Sequence, residues 1–354
     1  MPEQGAGTYG EGIRLAIRDA MAADDSVLCT GLGVTDPGAV FGTTAGLLEE
    51  FGAERVFDGP TSENAMTGVG VGAALAGLRP VMSHQRLDFF LLAMDQLVNS
   101  AAKWHYMFGG NVTVPLTIRL VIGRGWGQGP THSQNYQSWF AHVPGLKVVA
   151  PAFARDAYGL LRASIEDDNP VVFLEHRWLH NATGSLAPDA LSSQLGRARV
   201  CREGADVTVC ASGLLTLEAM KAADWLSDHG VSCEVIDLRT LNPIDWESIF
   251  TSVGKTGRLV AVDSAALTGS VSGEIVARVT TDAFSELRTA PIRVAQADIP
   301  EPTSPGLTEG FHVTARTIAE AVLASMGSTV APDIVLLDVS TPHDVPGPWF
   351  SGPF

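Results

Sequence analysis

Apolar positions along residues 9–23 (YGEGIRLAIRDAMAA) recur at intervals of three and four, the spacing of an amphipathic helix, and a short strand pattern follows at 26–31. Residues 33–43 read as a loop and 45–51 as a short helix. The turn Asp58-Gly59-Pro60 then leads through Thr61-Ser62 to one acid, Glu63, ahead of a helix of small residues at 65–76. At that N-terminus the helix dipole favours a carboxylate, and Thr61 or Ser62 is expected to cap the free amides. A strand at 79–82 precedes a long helix at 90–107, and the β-branched run 112–122 has the composition of a strand buried on both faces. The four glycines of 123–129 mark a loop. Strands at 146–150 and 171–174 flank a helix at 155–166. This alternation predicts α/β architecture, a parallel sheet covered by helices on both faces. Residues 176–193 follow neither period and contain Gly184 and Pro188, which places a linker there. From Asp206 the alternation restarts and predicts a second, smaller α/β domain.

Composition narrows the class. A chain of 354 residues with 45% apolar content is long enough for two cores, and a net charge of −16 argues against nucleic-acid and anionic-membrane surfaces. Four scattered cysteines without a CxxC pair fit a reducing, cytoplasmic setting. MPEQGAGTYGEG lacks a signal-peptide pattern, no uncharged apolar run approaches a membrane span, and the Asn181-Ala182-Thr183 sequon is read as chance. Gly68, Gly70 and Gly72 lie inside a helix pattern, not in a strand-to-helix turn, so they indicate helix packing and not a dinucleotide site. His176 and His180, spaced i, i+4 without a neighbouring acid motif, are expected to be structural.

On its local pattern Glu63 is an ordinary first-turn acid. Its surroundings change that reading. GAVFGTTAGLLEEFGAERVFDGPTSE, GVGAALAGLRPV, Asp95-Gln96 with Asn99, Ala102-Lys103, Tyr106-Met107-x-Gly109-Gly110, His132-Ser133-Gln134, HVPGLKVVAP and DDNPVVFLE stand in this order across about residues 10–325. Together they resemble the β subunit of the thiamine diphosphate-dependent 2-oxoacid dehydrogenase E1 component. The resemblance implies a transketolase-like pyrimidine-binding domain over 1–190, a transketolase C-terminal-type domain over 191–327, and a tail over 328–354 that forms an arm over a partner or a free end. It also implies that Glu63 hydrogen-bonds N1′ of the cofactor's aminopyrimidine, helping that ring take the C2 proton. Burial, which disfavours a charged carboxylate, suits an acid to this task. Gln85 and Arg86 are implied at the cofactor, and His132 with Arg86 at the substrate. A potassium ion is implied near Leu116, Ser164, Ile165, Asp167 and Asn169, although Asp167-Asp168-Asn169-Pro170 reads equally well as a helix-ending turn.

No GDG segment occurs, so the diphosphate and its Mg²⁺ are expected on a second polypeptide, an α-type E1 subunit in an α2β2 tetramer that also serves a lipoyl acyltransferase. Three departures fall on the substrate side. Leu32 replaces a usual Glu, Ser83-His84-Gln85-Arg86 replaces EIQF, and Asp263-Ser264 replaces His-Glu. The departures leave open a split transketolase or acyloin-forming carboligase subunit, while a third reading, a non-catalytic scaffold, is disfavoured by the presence of both Glu63 and His132. An arginine in place of a buried phenylalanine needs a counter-charge, so Arg86 is expected to meet an anionic ligand or else Asp88 or Asp95.

Overall fold

A computed structural model of the chain describes residues 5–124, 127–187 and 193–334. It divides into two compact units. One comprises residues up to Gly123 together with Trp139–Leu195, and the other Arg124–Ser138 together with residues from Gly196 onward. The glycine-rich loop and the histidine behind it thus belong with the second unit, a division that chain order alone does not express.

The first unit begins with a short strand β1 (Ala6–Thr8) and helix α1 (Tyr9–Ala23), closed by a capping box in which the Thr8 hydroxyl accepts from Glu11 N and the Glu11 carboxylate accepts from Thr8 N. The strands β2 (Val27–Gly31), β3 (Val56–Asp58), β4 (Arg79–His84), β5 (Thr117–Ile122), β6 (Lys147–Val149) and β7 (Val171–His176) lie side by side in the order β6-β7-β5-β4-β2-β3, every pairing parallel. Helices α2 (Leu47–Phe51), α3 (Glu63–Leu75), α4 (Leu87–Phe90), α5 (Ala102–Met107), α6 (Gln137–Ala141) and α7 (Ala154–Glu166) connect them. The apolar stripe of α1 (Ile13, Ala16, Ile17, Ala20, Met21) is fully buried. Gly12 permits close approach to α7, since an added Cβ would lie 2.6 Å from the Ala154 carbonyl oxygen. The long helix expected at 90–107 starts at Leu87 and changes winding, with a 3₁₀ turn at Leu91–Ala93 and a π segment at Gln96–Ala101 between α4 and α5.

Two sequence expectations need correcting here. The strand expected over 112–122 occupies only Thr117–Ile122, because Pro115 has no amide to give a ladder. The expected linker is partly structured. Thr183–Ser185 forms β8, antiparallel to β1 in the register Ala6↔Ser185, while Pro188 lies outside the described residues.

The second unit contains β9 (Arg199–Arg202), β10 (Val207–Ala211), α8 (Leu214–Asp228), β11 (Cys233–Asp237), the short β12 (Thr240–Asn242), α9 (Trp246–Thr256), β13 (Leu259–Ala266), α10 (Val271–Asp282), β14 (Ile292–Gln296), the one-turn α11 (Pro305–Thr308) and α12 (Ala315–Ser325). Its sheet runs β14-β13-β10-β11-β9, parallel except for the edge strand β9. Val207, Val209, Val235 and Val260 on the strands pack with Leu215, Ala219 and Leu226 of α8 and with Ile318 and Val322 of α12. Most of the expected tail, 335–354, lies outside the described residues.

Candidate active site

Open parallel sheets bind ligands at the carboxyl ends of their strands. In the first unit β2, β3 and β4 end together. Gly59 N donates to Gly31 O (2.9 Å) and Leu32 N to Ser83 O (2.9 Å). Gly31 has φ +144°, and an added Cβ would sit 2.1 Å from Ser83 O, so the approach of β2 to β4 requires glycine. The Asp58 carboxylate holds the loop after β2, accepting from Val34 N (2.8 Å), Thr35 N (2.9 Å) and the Thr35 hydroxyl. From this anchored turn the chain enters α3 with Glu63 as its first residue. Glu63 is 7% exposed, and its carboxyl has no hydrogen-bond or ion-pair partner among the described residues. The expected hydroxyl cap is absent. Ser62 is the N-cap, but with φ −155° and ψ 83° its side chain makes no cap bond, and only its carbonyl is used, accepting from Met66 N (2.9 Å).

Gln85 and Arg86 leave the carboxyl end of the neighbouring β4. Gln85 is exposed, and its amide covers the loop after β2 so closely that a Cβ on Gly33 would lie 1.9 Å from Nε2. Arg86 is half-buried in extended backbone (φ −144°, ψ 127°), and its Nη1 is enclosed without a hydrogen-bond partner. Burial lowers its pKa from the ordinary value, and the Asp88 charge opposes that effect. No ion pair closes on Arg86 among the described residues, and Asp95 is engaged by Asn99 (2.7 Å) and Gln96 (3.2 Å). Glu63 thus follows the carboxyl end of β3, and Gln85 and Arg86 follow the carboxyl end of β4 in the same sheet.

His132 belongs to the second unit. It ends the 3₁₀ turn Gly129–Thr131, half-buried, with Nδ1 2.9 Å from the Thr131 hydroxyl. Its loop is tied down within that unit. An added Cβ on Gly129 would meet Thr303 Oγ1 at 2.2 Å, and Gln137 Nε2 donates to Asp263 Oδ1 (2.5 Å) and Ser264 Oγ (2.9 Å). Asp263 also accepts from Ala265 N (3.0 Å) and Ser272 N (3.2 Å). Burial raises the pKa of its carboxyl, with those bonds opposing. The Asp-Ser pair that departs from the family's His-Glu therefore anchors the histidine loop.

Residues 6–181 match the transketolase pyrimidine-binding domain and residues 196–318 the transketolase C-terminal domain. The chain is 42% identical over 304 residues to the pyruvate dehydrogenase E1 component subunit beta-1, mitochondrial, of Arabidopsis thaliana, covering 85% of this chain and 84% of that protein. It is 40% identical over 316 residues to the pyruvate dehydrogenase E1 component subunit beta of Rickettsia conorii, covering 89% and 97%. The chain belongs to the β-subunit family of thiamine diphosphate-dependent 2-oxoacid dehydrogenase E1 components. A solved structure, the split gene transketolase as an inactive β4 tetramer, shares the fold at TM-score 0.73 and 24% identity over 92% of this chain and all of that one.

The family's cofactor can be tested against Glu63. A largely buried carboxyl without a partner among the described residues is suited to donate a hydrogen bond to a group from outside, and a ring nitrogen can accept it. The residues fit the pyrimidine half. The potassium set is differently placed. Leu116 O accepts from Val171 N (2.9 Å) and Ser164 O from the Thr117 hydroxyl (3.1 Å), while Arg79 Nη1 donates to both Ile165 O and Asp167 O (3.2 Å each). Lys147 pairs with the Asp167 carboxylate, which also accepts from Asn169 N (2.9 Å). Two protein cations on these oxygens oppose a third positive charge. The set fits cross-linking by Arg79 and Lys147.

Sequence reasoning missed a buried polar network of the first unit. Arg119, wholly buried on β5, donates to Ser83 Oγ (2.9 Å), Thr43 Oγ1 (2.8 Å) and Glu175 Oε2 (3.0 Å), and approaches Glu175 Oε1 to 2.8 Å. Glu175 also faces His180 Nε2 (3.0 Å). Phe41 stacks on the His180 ring (centroids 5.0 Å, 23°) and closes a turn in which Ala39, Val40 and Phe41 all have positive φ (43°, 45°, 61°). Three such residues in succession are strained, and the network holds them. The available signal was an arginine inside the apolar run LTIRLVI and a glutamate closing VVFLE.

Proposed function

We propose that this chain supplies the pyrimidine half of the active site of an E1 enzyme that decarboxylates a 2-oxo acid and passes on the acyl group, and that it is active only with an α-type partner. The buried, unpartnered carboxyl of Glu63 carries the reading. Thiamine diphosphate, when bound, supplies a nucleophilic thiazolium C2 for the 2-oxo carbonyl. Glu63 holds a proton at the pyrimidine N1′, fixed in place by the first turn of α3 and by the loops that Asp58 and Gly31 pin together. Gln85 and Arg86 flank the pyrimidine, and His132 serves substrate binding or proton transfer from its own anchored loop.

The absence of a GDG segment supports assigning the diphosphate and Mg²⁺ to the partner in an α2β2 tetramer, with a lipoyl acyltransferase as acceptor. Exposed apolar side chains on the first unit support a partner as well. Val69 on α3, Leu92, and Tyr106, Met107 and Phe108 at the end of the long helical run are each about half exposed or more, which suits an interface. The names of the relatives favour neither the transketolase-type nor the scaffold alternative. No described helix is long and apolar enough to cross a membrane. A cytoplasmic setting is proposed from the cysteine pattern alone, since some relatives are named mitochondrial. Titration calorimetry tests the reading. The isolated chain should bind thiamine diphosphate with Mg²⁺ weakly, and adding an α-type E1 chain should restore tight binding and turnover. Tight Mg²⁺-dependent binding by the isolated chain would refute it.

A further inference from the structure

The segment leaving β4 holds polar groups that nothing among the described residues satisfies. His84, the last residue of the strand, is 2% exposed, with its ring edge-on to Phe90 (centroids 4.8 Å, 70°) and no hydrogen-bond partner at either ring nitrogen. Two residues on, Arg86 Nη1 is equally enclosed and equally unpartnered. A donor or acceptor buried without a partner bears its full desolvation penalty, so three such atoms within three residues mark a place kept for a group from outside. Among the described residues Asp58 is taken by Thr35 and Val34 and Asp95 by Asn99 and Gln96, and Asp88 acts on Arg86 through its charge without bonding the enclosed Nη1.

The chemistry of the two side chains defines the group. A guanidinium offers a planar fork that grips a carboxylate or a phosphate through parallel bonds. Burial pushes the His84 imidazole down to about 4, so at neutral pH the ring adds one N–H donor without a second positive charge. The carboxylate next to the reacting carbonyl is a poor candidate. It leaves as carbon dioxide, and a guanidinium locked onto it would stabilise the ground state more than the transition state. We propose that Arg86 and His84 form a recognition site for a second anionic group, a carboxylate or phosphate, carried by the substrate away from its 2-oxo carbon. This rests on the E1 reading of the Glu63 site.

The test uses the assembled complex with saturating thiamine diphosphate and Mg²⁺. It measures kcat/KM for 2-oxoglutarate, for 2-oxo-4-phosphonobutanoate and for 5-methyl-2-oxohexanoate, an isostere whose far end is uncharged and which is the uncharged compound below. The wild type should prefer one of the charged compounds by about tenfold or more, the fold-change of a charge-assisted hydrogen bond, and the better of the two identifies carboxylate or phosphate as the natural group. The double variant His84→Ile with Arg86→Phe installs the residues of the family pattern EIQF at both positions and should bring the ratio down toward one. A wild type that turns over the uncharged compound without preferring either charged one overturns the proposal, as does a ratio that the double variant leaves unchanged. If the variant weakens assembly without moving the ratio, the side chains belong to the subunit interface and the proposal falls. If no 2-oxo acid is turned over at all, the E1 reading has failed. Thermal unfolding of the full chain in inorganic phosphate then decides, since phosphate should raise the wild-type Tm and not that of the double variant, and equal shifts overturn the site.

Discussion

Replacing Glu63 with glutamine separates a chemical role from a structural one, because this carboxyl has no hydrogen-bond or ion-pair partner among the described residues. The side chain keeps its size, and no hydrogen bond or ion pair among the described residues is lost. What the variant gives up is the attraction between a carboxylate and the N-terminus of α3, about 0.3–1 kcal/mol. Stability should therefore change by less than about 1 kcal/mol, and for a unit of this size Tm should move by no more than about 2–4 °C. Removing a proton-donating group in the site, by contrast, lowers the rate by ~10² to 10⁴, which is about 2.7–5.4 kcal/mol of barrier. The two magnitudes differ enough to be told apart in one protein preparation. The assay is hydrogen–deuterium exchange at C2 of thiamine diphosphate in the assembled complex, quenched in acid and read by NMR, alongside differential scanning calorimetry. Near-normal exchange in the variant would refute the role at N1′. A fall in Tm well beyond 4 °C with a matching loss of activity would show instead that Glu63 is a structural helix acid.

Glu175→Gln should cost about 3–5 kcal/mol, read by urea unfolding, because it leaves the buried Arg119 charge without its counter-ion. Burial alone would raise the Glu175 carboxyl, but Arg119 and His180 override it and hold the pKa below the ordinary value. That contribution is therefore present above the unfolded-state pKa of about 4.3 and is lost as pH falls through the lower folded value, so wild type and variant should converge in stability in acid. Asp263→Asn removes a carboxylate that accepts from Gln137, Ala265 N and Ser272 N. It should cost about 1–3 kcal/mol and speed limited proteolysis within 124–136, whereas unchanged cleavage there would show that the His132 loop does not depend on this anchor.

The alternation of apolar runs was enough to place the parallel sheets and the position of Glu63 at a helix start, because strand and helix periods depend on local spacing alone. Features that depend on which strands become neighbours were not legible. The Arg119–Glu175 pair exists because β5 and β7 are adjacent, although 56 residues separate the two side chains in the chain. The pairing of β1 with β8 likewise joins two stretches too short to carry a period of their own. The Ser62 cap failed for a different reason. The residue type was right, but capping also requires a backbone geometry that the approach from Pro60 does not give. His84 was noticed only as part of an altered motif, because a histidine in a strand says nothing about whether its nitrogens will find partners.

The departures from the family pattern have separate physical consequences, and these bear on what has changed in this chain. Ser83 stands where an acid is usual, and its hydroxyl receives one arm of Arg119, whose charge is met by Glu175. The acid at position 83 is thus dispensable for holding the sheet together. Asp263-Ser264 stands where His-Glu is usual, and both residues serve Gln137 at the base of the His132 loop, so a pair of titratable groups has become an anchor. His84 and Arg86 differ from both, since both His84 ring nitrogens and Arg86 Nη1 are enclosed without a partner among the described residues. A substitution that is compensated locally can be neutral to function. One that leaves charge and donors unpaired at the carboxyl edge of a sheet persists only if something else pairs them. On the proposed reading, any altered specificity resides in the turn after β4, while Glu63 and the loops that position it are proposed to serve the family's cofactor.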